Sequence, residues 1–312
     1  MSQVRTSDYV HFDGLLKQAA DMPAMPVAVV APEKADALAG PVQAAEAGLI
    51  TPILIGDAAL IAQVAVEIGV DISGYEVIDI ADHSDAAARG VALVHEGRAA
   101  AVMKGHLHTD VLLRHVVKRE GGLRAGRRLS HVFICDVPGE ARLLLVTDGA
   151  INIAPDLETK ADITQSGIDL ARTLGIETPN VAVLSAVETV NPKVQSTVDA
   201  DALVQMAKRG EITGGVVEGP LSMDIAVDQA AAAGKGLASR VAGRAEVMIM
   251  PNIEAGNMFA KALTHYARAE KAGIVLGASV PVILTSRSDG ELARLVSCAV
   301  AVLYAARKDK LA

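Results

Sequence analysis

The sequence predicts an α/β protein built on mainly parallel, doubly wound sheets, and three observations predict it. From Met25 onward, short apolar runs alternate with helical patterns at the spacing of βα units. About half of the 312 residues are apolar (51%), only 2% are aromatic and Trp is absent. The core is therefore filled by Val, Ile, Leu, Ala and Met, the usual content of a sheet covered on both faces. Near the C-terminus, two apolar runs (Ala245–Met250 and Val280–Thr285) each end in a polar turn that opens a helix.

Taken in order, residues 1–24 form an amphipathic lead-in, with Tyr9, Phe12, Leu15 and Leu16 at helical spacing. Strand Met25–Ala31, helix Asp36–Gly48, strand Pro52–Gly56 and helix Asp57–Gly69 follow. Strand Val77–Ile80, helix Asp85–Gly97 and strand Ala99–Met103 continue the series. Lys104-Gly-His-Leu-His-Thr109-Asp110 then leads into a helix carrying Leu112, Leu113, Val116 and Val117. Strands His131–Asp136 and Leu143–Thr147 are expected as antiparallel neighbours, since Pro138-Gly139-Glu140 is a turn signal. Asp156 caps a helix over Leu157–Leu174. Strand Val181–Ser185, helix Val198–Lys208 and strand Gly215–Glu218 come next. Gly219-Pro-Leu-Ser-Met-Asp224 opens another helix, and Ala230–Gly236 reads as a small-residue loop. The last helical patterns are Asn257–Lys271 and the segment after Gly290.

Length suits two ordinary domains. Composition never breaks into a linker, so the boundary is a tight crossing near residue 141. Net charge is 29 minus 37, or −8, which argues against a nucleic-acid partner. Cys135 and Cys298 lie in apolar runs without metal-ligand spacing and read as buried thiols in a reducing cytosol. Met25–Ala31 is too short for a secretory signal and Leu295–Ala306 too short to span a membrane. The expectation is a soluble, cytoplasmic protein with no membrane partner and no metal site.

Chemistry is expected at the carboxyl ends of the strands, where parallel sheets bind ligands. Helix N-termini there suit anions, and a phosphate-bearing ligand is expected at the two C-terminal turns. Gly105 lets the backbone approach a ligand, while Lys104 offers a point charge beside His106. Thr109 or Asp110 alternatively serves only as a helix cap. Asp148 and Asn152 follow an apolar strand directly. The Gly- and Arg-rich segment Glu120–Arg128 is either a cationic loop for a polyphosphate or a solvated connector.

The ordered set Lys104-Gly-His-Leu-His-Thr109, Thr147-Asp-Gly-Ala-Ile-Asn152, Val190-Asn-Pro-Lys193, Gly219-Pro-Leu-Ser-Met-Asp224, Pro251-Asn-Ile-Glu-Ala-Gly-Asn257 and Leu284-Thr-Ser-Arg287 resembles the phosphate acetyl/butyryltransferase family over residues 25–305. The resemblance implies reversible acyl transfer, in which acyl-CoA and inorganic phosphate give acyl phosphate and coenzyme A. The acyl group is acetyl or another short chain such as butyryl. It implies coenzyme A as substrate, no tightly bound cofactor, and a homodimer. It also implies two three-layer α/β/α domains of the kind found in isocitrate and isopropylmalate dehydrogenases, with the active site in the cleft between them. The first domain is then discontinuous (1–140 plus 277–312) and the second spans 141–276.

For the chemistry, Arg287 clamps phosphate oxygens in a bidentate way. Ser286 donates to the carbonyl oxygen or the leaving sulfur, a role worth ~3 kcal/mol in the barrier. Ser288 with Glu291 fits a capping box. Relatives that transfer acetyl groups carry a carboxylate farther along, where this chain has Ala293, so Asp289 or Glu291 takes that place. Gly256 and Asn257 offer amides to phosphate, and Glu254 alternatively orients Arg287. Asp148 and Asn152 shape the opposite wall, and Arg114 contacts coenzyme A phosphates. The alternatives are a catalytically silent acyl-CoA-binding regulatory domain and a decarboxylating dehydrogenase of the same fold. No Gly-x-Gly-x-x-Gly follows the first strand, which disfavours the latter.

Overall fold

The computed structural model describes residues 8–285 and 289–311. They divide into two compact units, one comprising Phe12–Arg127 and Ala272–Arg307, the other 8–11, Arg128–Lys271 and 308–311.

In chain order the elements begin with α1 (Val10–Ala20), β1 (Met25–Val30), α2 (Ala35–Glu46), β2 (Ile50–Gly56), α3 (Ala58–Ile68) and β3 (Glu76–Asp79). Next are α4 (His83–His95), β4 (Ala101–Lys104), α5 (Thr109–Val116), β5 (Ser130–Asp136), β6 (Leu144–Thr147) and α6 (Leu157–Thr173). Then come β7 (Asn180–Leu184), α7 (Gln195–Lys208), β8 (Val216–Leu221), α8 (Met223–Val227), α9 (Gln229–Gly234) and β9 (Val247–Ile249). The series closes with α10 (Ile253–Tyr266), β10 (Glu270–Leu276), β11 (Val282–Ile283) and α11 (Glu291–Arg307).

In the first unit the strand order is β3-β2-β1-β4-β11-β10. β1 pairs in parallel with β2 (Val27↔Pro52) and with β4 (Val27↔Ala101), and β4 with β11 (Val102↔Val282). The order runs outward from β1 to β3, then jumps back across β1 to β4. Right-handed crossovers send the helices before and after that jump to opposite faces. α2 accordingly packs with α3 and α11, while α4 packs with α5. Val27, Ala28, Val29 and Val30 are fully buried between the two layers, as an uninterrupted apolar strand requires. β10 runs antiparallel to β11 (Ile274↔Ile283).

The second unit has the order β5-β6-β9-β7-β8. β5 and β6 are antiparallel (Val132↔Thr147), as their turn predicts, and the remaining pairs are parallel. Between α6 and α7 lies a buried ion pair, Lys160 Nζ to Asp199 Oδ2 at 2.6 Å. Gln195 Nε2 donates to the other carboxylate oxygen at 2.7 Å, so both oxygens of this buried anion are satisfied.

Helix starts follow their capping signals. Asp57 accepts from the Ala59 and Leu60 amides, Asp82 from Ser84 and Asp85, and Asp156 from Thr159. Three readings are corrected. The small-residue stretch at Ala230 is helix α9, because Asp228 caps it through the Ala230 amide at 2.8 Å and alanine is the best helix former. α10 starts at Ile253 rather than Asn257, since Asn252 Oδ1 accepts from the Ala255 amide at 2.9 Å. That helix ends at Tyr266, and Glu270–Leu276 is a strand; the apolar run there continues a sheet instead of a helix.

Candidate functional site

The jump in strand order leaves a crevice at the carboxyl ends of β1 and β4, and the chain tightens there. The Gly105 amide donates to the Val30 carbonyl at 2.7 Å and the His106 amide to Ala31 at 2.6 Å. A Cβ on Gly105 would stand 2.3 Å from the Ala31 carbonyl oxygen, so only glycine lets the two strand ends meet. Around this crossing lies a small pocket, partly open to solvent, lined by Asp36, Ala37, Met103, Lys104, Gly105, His106, Thr285 and Arg294. Lys104 Nζ donates to the Gly105 carbonyl at 3.1 Å. Of the predicted residues, Lys104 and His106 are brought together here.

Arg294 is a residue that sequence reasoning missed. It sits in the first turns of α11, is 8% exposed, and has its guanidinium 3.6 Å from the Asp36 carboxylate. The signal was present: Arg294 is the lone charge in the apolar run from Leu292 to Leu303, and a buried cation requires a compensating partner.

Thr109 and Arg114 lie beyond the pocket lining. Thr109 is the first residue of α5, following a cap at His108. Arg114 is exposed and pairs loosely with Asp110 at 3.4 Å. The neighbouring His115 ring is 2.9 Å from Ser84 Oγ. Burial, then the Lys118 and Arg114 charges, hold its pKa below the usual histidine value against the pull of Asp85.

In the second unit, Asp148 at the end of β6 is 2% exposed and fully used by its own loop. One carboxylate oxygen accepts from the amides of Ala150 (2.9 Å) and Ile151 (3.1 Å). The other accepts from the Asn152 amide (3.2 Å) and side chain (2.6 Å). Asn152 Nδ2 also reaches the Leu129 carbonyl at 2.8 Å. This loop holds Gly149 against α10, where Asn257 Nδ2 donates to the Gly149 carbonyl at 3.1 Å.

The amide route expected at Gly256 is closed. Its N–H donates to the Asn252 carbonyl at 3.2 Å, and the Ile253 amide is taken by the Ile153 carbonyl at 3.1 Å. Glu254 is exposed in the first turn of α10. Asp289 is half-buried just before α11. Ser286, Arg287 and Ser288 lie outside the described residues.

Comparisons with known proteins agree with one another. A family model described as phosphate acetyl/butaryl transferase matches residues 81–302. The chain is 52% identical over 298 residues to a phosphate acetyltransferase of Rhizobium meliloti, covering 95% of this chain and 94% of that one. It is 40% identical to a phosphate butyryltransferase of Clostridium beijerinckii, covering 95% and 98%. Among solved structures, a branched-chain phosphotransacylase from Enterococcus faecalis superposes with a TM-score of 0.78 at 30% identity, covering 90% of this chain and 99% of that one. A 4-hydroxythreonine-4-phosphate dehydrogenase from Klebsiella pneumoniae shares the fold, with a TM-score of 0.54 at 14% identity over 91% of this chain and all of that one.

Proposed function

The chain belongs to the phosphate acetyl/butyryltransferase family, and on that premise we propose how its own residues carry the reaction. It is an acyltransferase that moves an acyl group between coenzyme A and inorganic phosphate. Our residue-level reading rests on one observation: Lys104, His106 and a buried arginine line a single pocket at the crossing of β1 and β4. Two side-chain cations suit a phosphoryl group without a metal.

In our reading, a phosphate oxygen attacks the thioester carbonyl. Negative charge builds on the carbonyl oxygen, the C–S bond breaks, and acyl phosphate leaves with coenzyme A. Arg287 clamps the phosphate, and Ser286 donates to the carbonyl oxygen or the departing sulfur. Asp289 returns a proton to the thiolate and removes it in the reverse direction. Lys104 and His106 hold the phosphoryl side, while Thr109 and Arg114 meet the phosphates of coenzyme A. Asp148, Asn152, Gly256 and Asn257 act as positioning residues, since their polar groups are committed to the loop after β6 and to α10. Glu254 remains a candidate for orienting Arg287.

We propose a short acyl chain of two to four carbons. We further propose a cytoplasmic homodimer with a discontinuous first domain and a second domain inserted in it. Met258 and Tyr266 of α10 are 68% and 91% exposed, an apolar surface of the kind a second subunit covers. Light scattering reads the assembly. The function is tested by thiol release from acetyl-, propionyl- and butyryl-CoA with phosphate, for wild type and Arg287→Ala. Turnover in the wild type with a large loss in the variant is expected. Binding of acyl-CoA without turnover would favour the silent regulatory reading.

A further inference from the structure

Arg294 has features that packing alone does not explain. Its stem crosses α2 at Gly40, where a Cβ would stand 2.9 Å from Arg294 Cδ. A glycine inside a helix is unfavourable relative to alanine, yet here it clears a path for a long cationic side chain. The guanidinium cannot shed its charge. Among the described residues its side-chain partner is Asp36, at 3.6 Å. That distance is beyond a hydrogen bond, and Asp36 is itself 41% exposed. Arg294 lines the pocket that Lys104 and His106 share.

We propose that Arg294, with Lys104, forms an anion subsite for orthophosphate and for the phosphoryl group of acyl phosphate, with Asp36 as the carboxylate that the ligand displaces. The proposal rests on the acyltransferase reading and deepens it. Charge selects the ligand: Lys104 and Arg294 bring two positive charges, and Asp36 is the lone acidic residue of the described lining. Two cations at one pocket favour an incoming dianion over a neutral group. A planar guanidinium also pairs with two phosphate oxygens at once.

The test separates phosphate from coenzyme A kinetically and by direct binding. Arg294→Met is expected to raise KM for phosphate and for acyl phosphate about tenfold or more, the scale of one lost charge-assisted hydrogen bond. KM for acyl-CoA should stay within about twofold. Arg294→Lys should recover part of the loss. Asp36→Asn, at a half-exposed position, should lower phosphate KM about threefold, the scale of an exposed ion pair. Unchanged phosphate KM in Arg294→Met, or an equal rise for acyl-CoA, would overturn the proposal. So would a higher phosphate KM in Asp36→Asn, which keeps the question decidable if Arg294→Met does not fold. If the wild type shows no turnover, the acyltransferase reading fails, and stabilisation by inorganic phosphate in thermal denaturation then decides. A Tm rise in the wild type that Arg294→Met abolishes supports the subsite, whereas a rise retained by the variant, or none in the wild type, refutes it.

Discussion

Gly149 and Gly256 meet backbone to backbone. A Cβ built on Gly256 would lie 2.8 Å from Gly149 Cα and 2.5 Å from the Asp148 carbonyl oxygen, and one on Gly149 would lie 2.9 Å from the Gly256 carbonyl carbon. This contact seats the loop after β6 on α10, and the four hydrogen bonds to Asp148 stiffen it from below.

Gly256→Ala should therefore be costly. The added methyl has backbone on the other side of the contact, which cannot yield as a flexible side chain can. Destabilisation of about 1–3 kcal/mol, the range for overpacking, is expected in urea denaturation, with reduced turnover. A variant with unaltered stability and rate would refute the contact.

Lys160→Met strands the Asp199 carboxylate between α6 and α7. Removing one partner of a buried pair typically costs about 3–5 kcal/mol. Restoring an apolar match in Lys160→Met/Asp199→Leu should recover much of the loss. A single-variant effect under about 1 kcal/mol would mean that water reaches Asp199.

Both thiols should be inert in the folded protein. Burial pushes Cys135 and Cys298 up to about 12, so at pH 8 the reactive thiolate is about 10⁻⁴ of each. Ellman's reagent should label neither until denaturant is added, which also leaves the coenzyme A signal clean in thiol-release assays. Rapid labelling of either cysteine in the native state would contradict their burial.

His115 should make stability fall on the acid side. Its folded-state pKa is lowered by burial and by Lys118 and Arg114, so the unfolded chain takes up the proton first. Stability from this group is present above the ordinary histidine value, about 6.5, and is lost as pH drops below it. His115→Gln should flatten Tm between pH 7 and 5.5. A profile parallel to wild type would remove His115 from the pH response.

Much of the fold was legible because its signals are local. Asp57 and Gly69 bracket α3 at the residues the periodicity marks, with Gly69 at φ 70°. Asp156 caps α6 as expected. α10 was misjudged because Pro251-Asn252 reads as a turn, while Asn252 is already the cap. β10 was lost because its first residues carry charge and continue a helical pattern in one dimension; pairing of Ile274 with Ile283 makes them a strand.

At the site, Lys104 and His106 were readable from the strand-to-turn pattern, and Asp148 was singled out for its position. Its task was not readable, since four donors converge on its carboxylate only after the loop has closed. Gly256 was assigned to ligand contact from its place in a motif, but its amide belongs to the helix.

The sequence by itself determined the order of the βα units, the ends of most helices, the aliphatic core and the family motifs, because each is encoded in residues a few positions apart. Only the tertiary structure decided that Arg294 faces Lys104 and Asp36. That meeting requires β11 to pair with β4 and α11 to pack on α2. Burial of a guanidinium beside a carboxylate is a property of distant segments brought together, which no local pattern records.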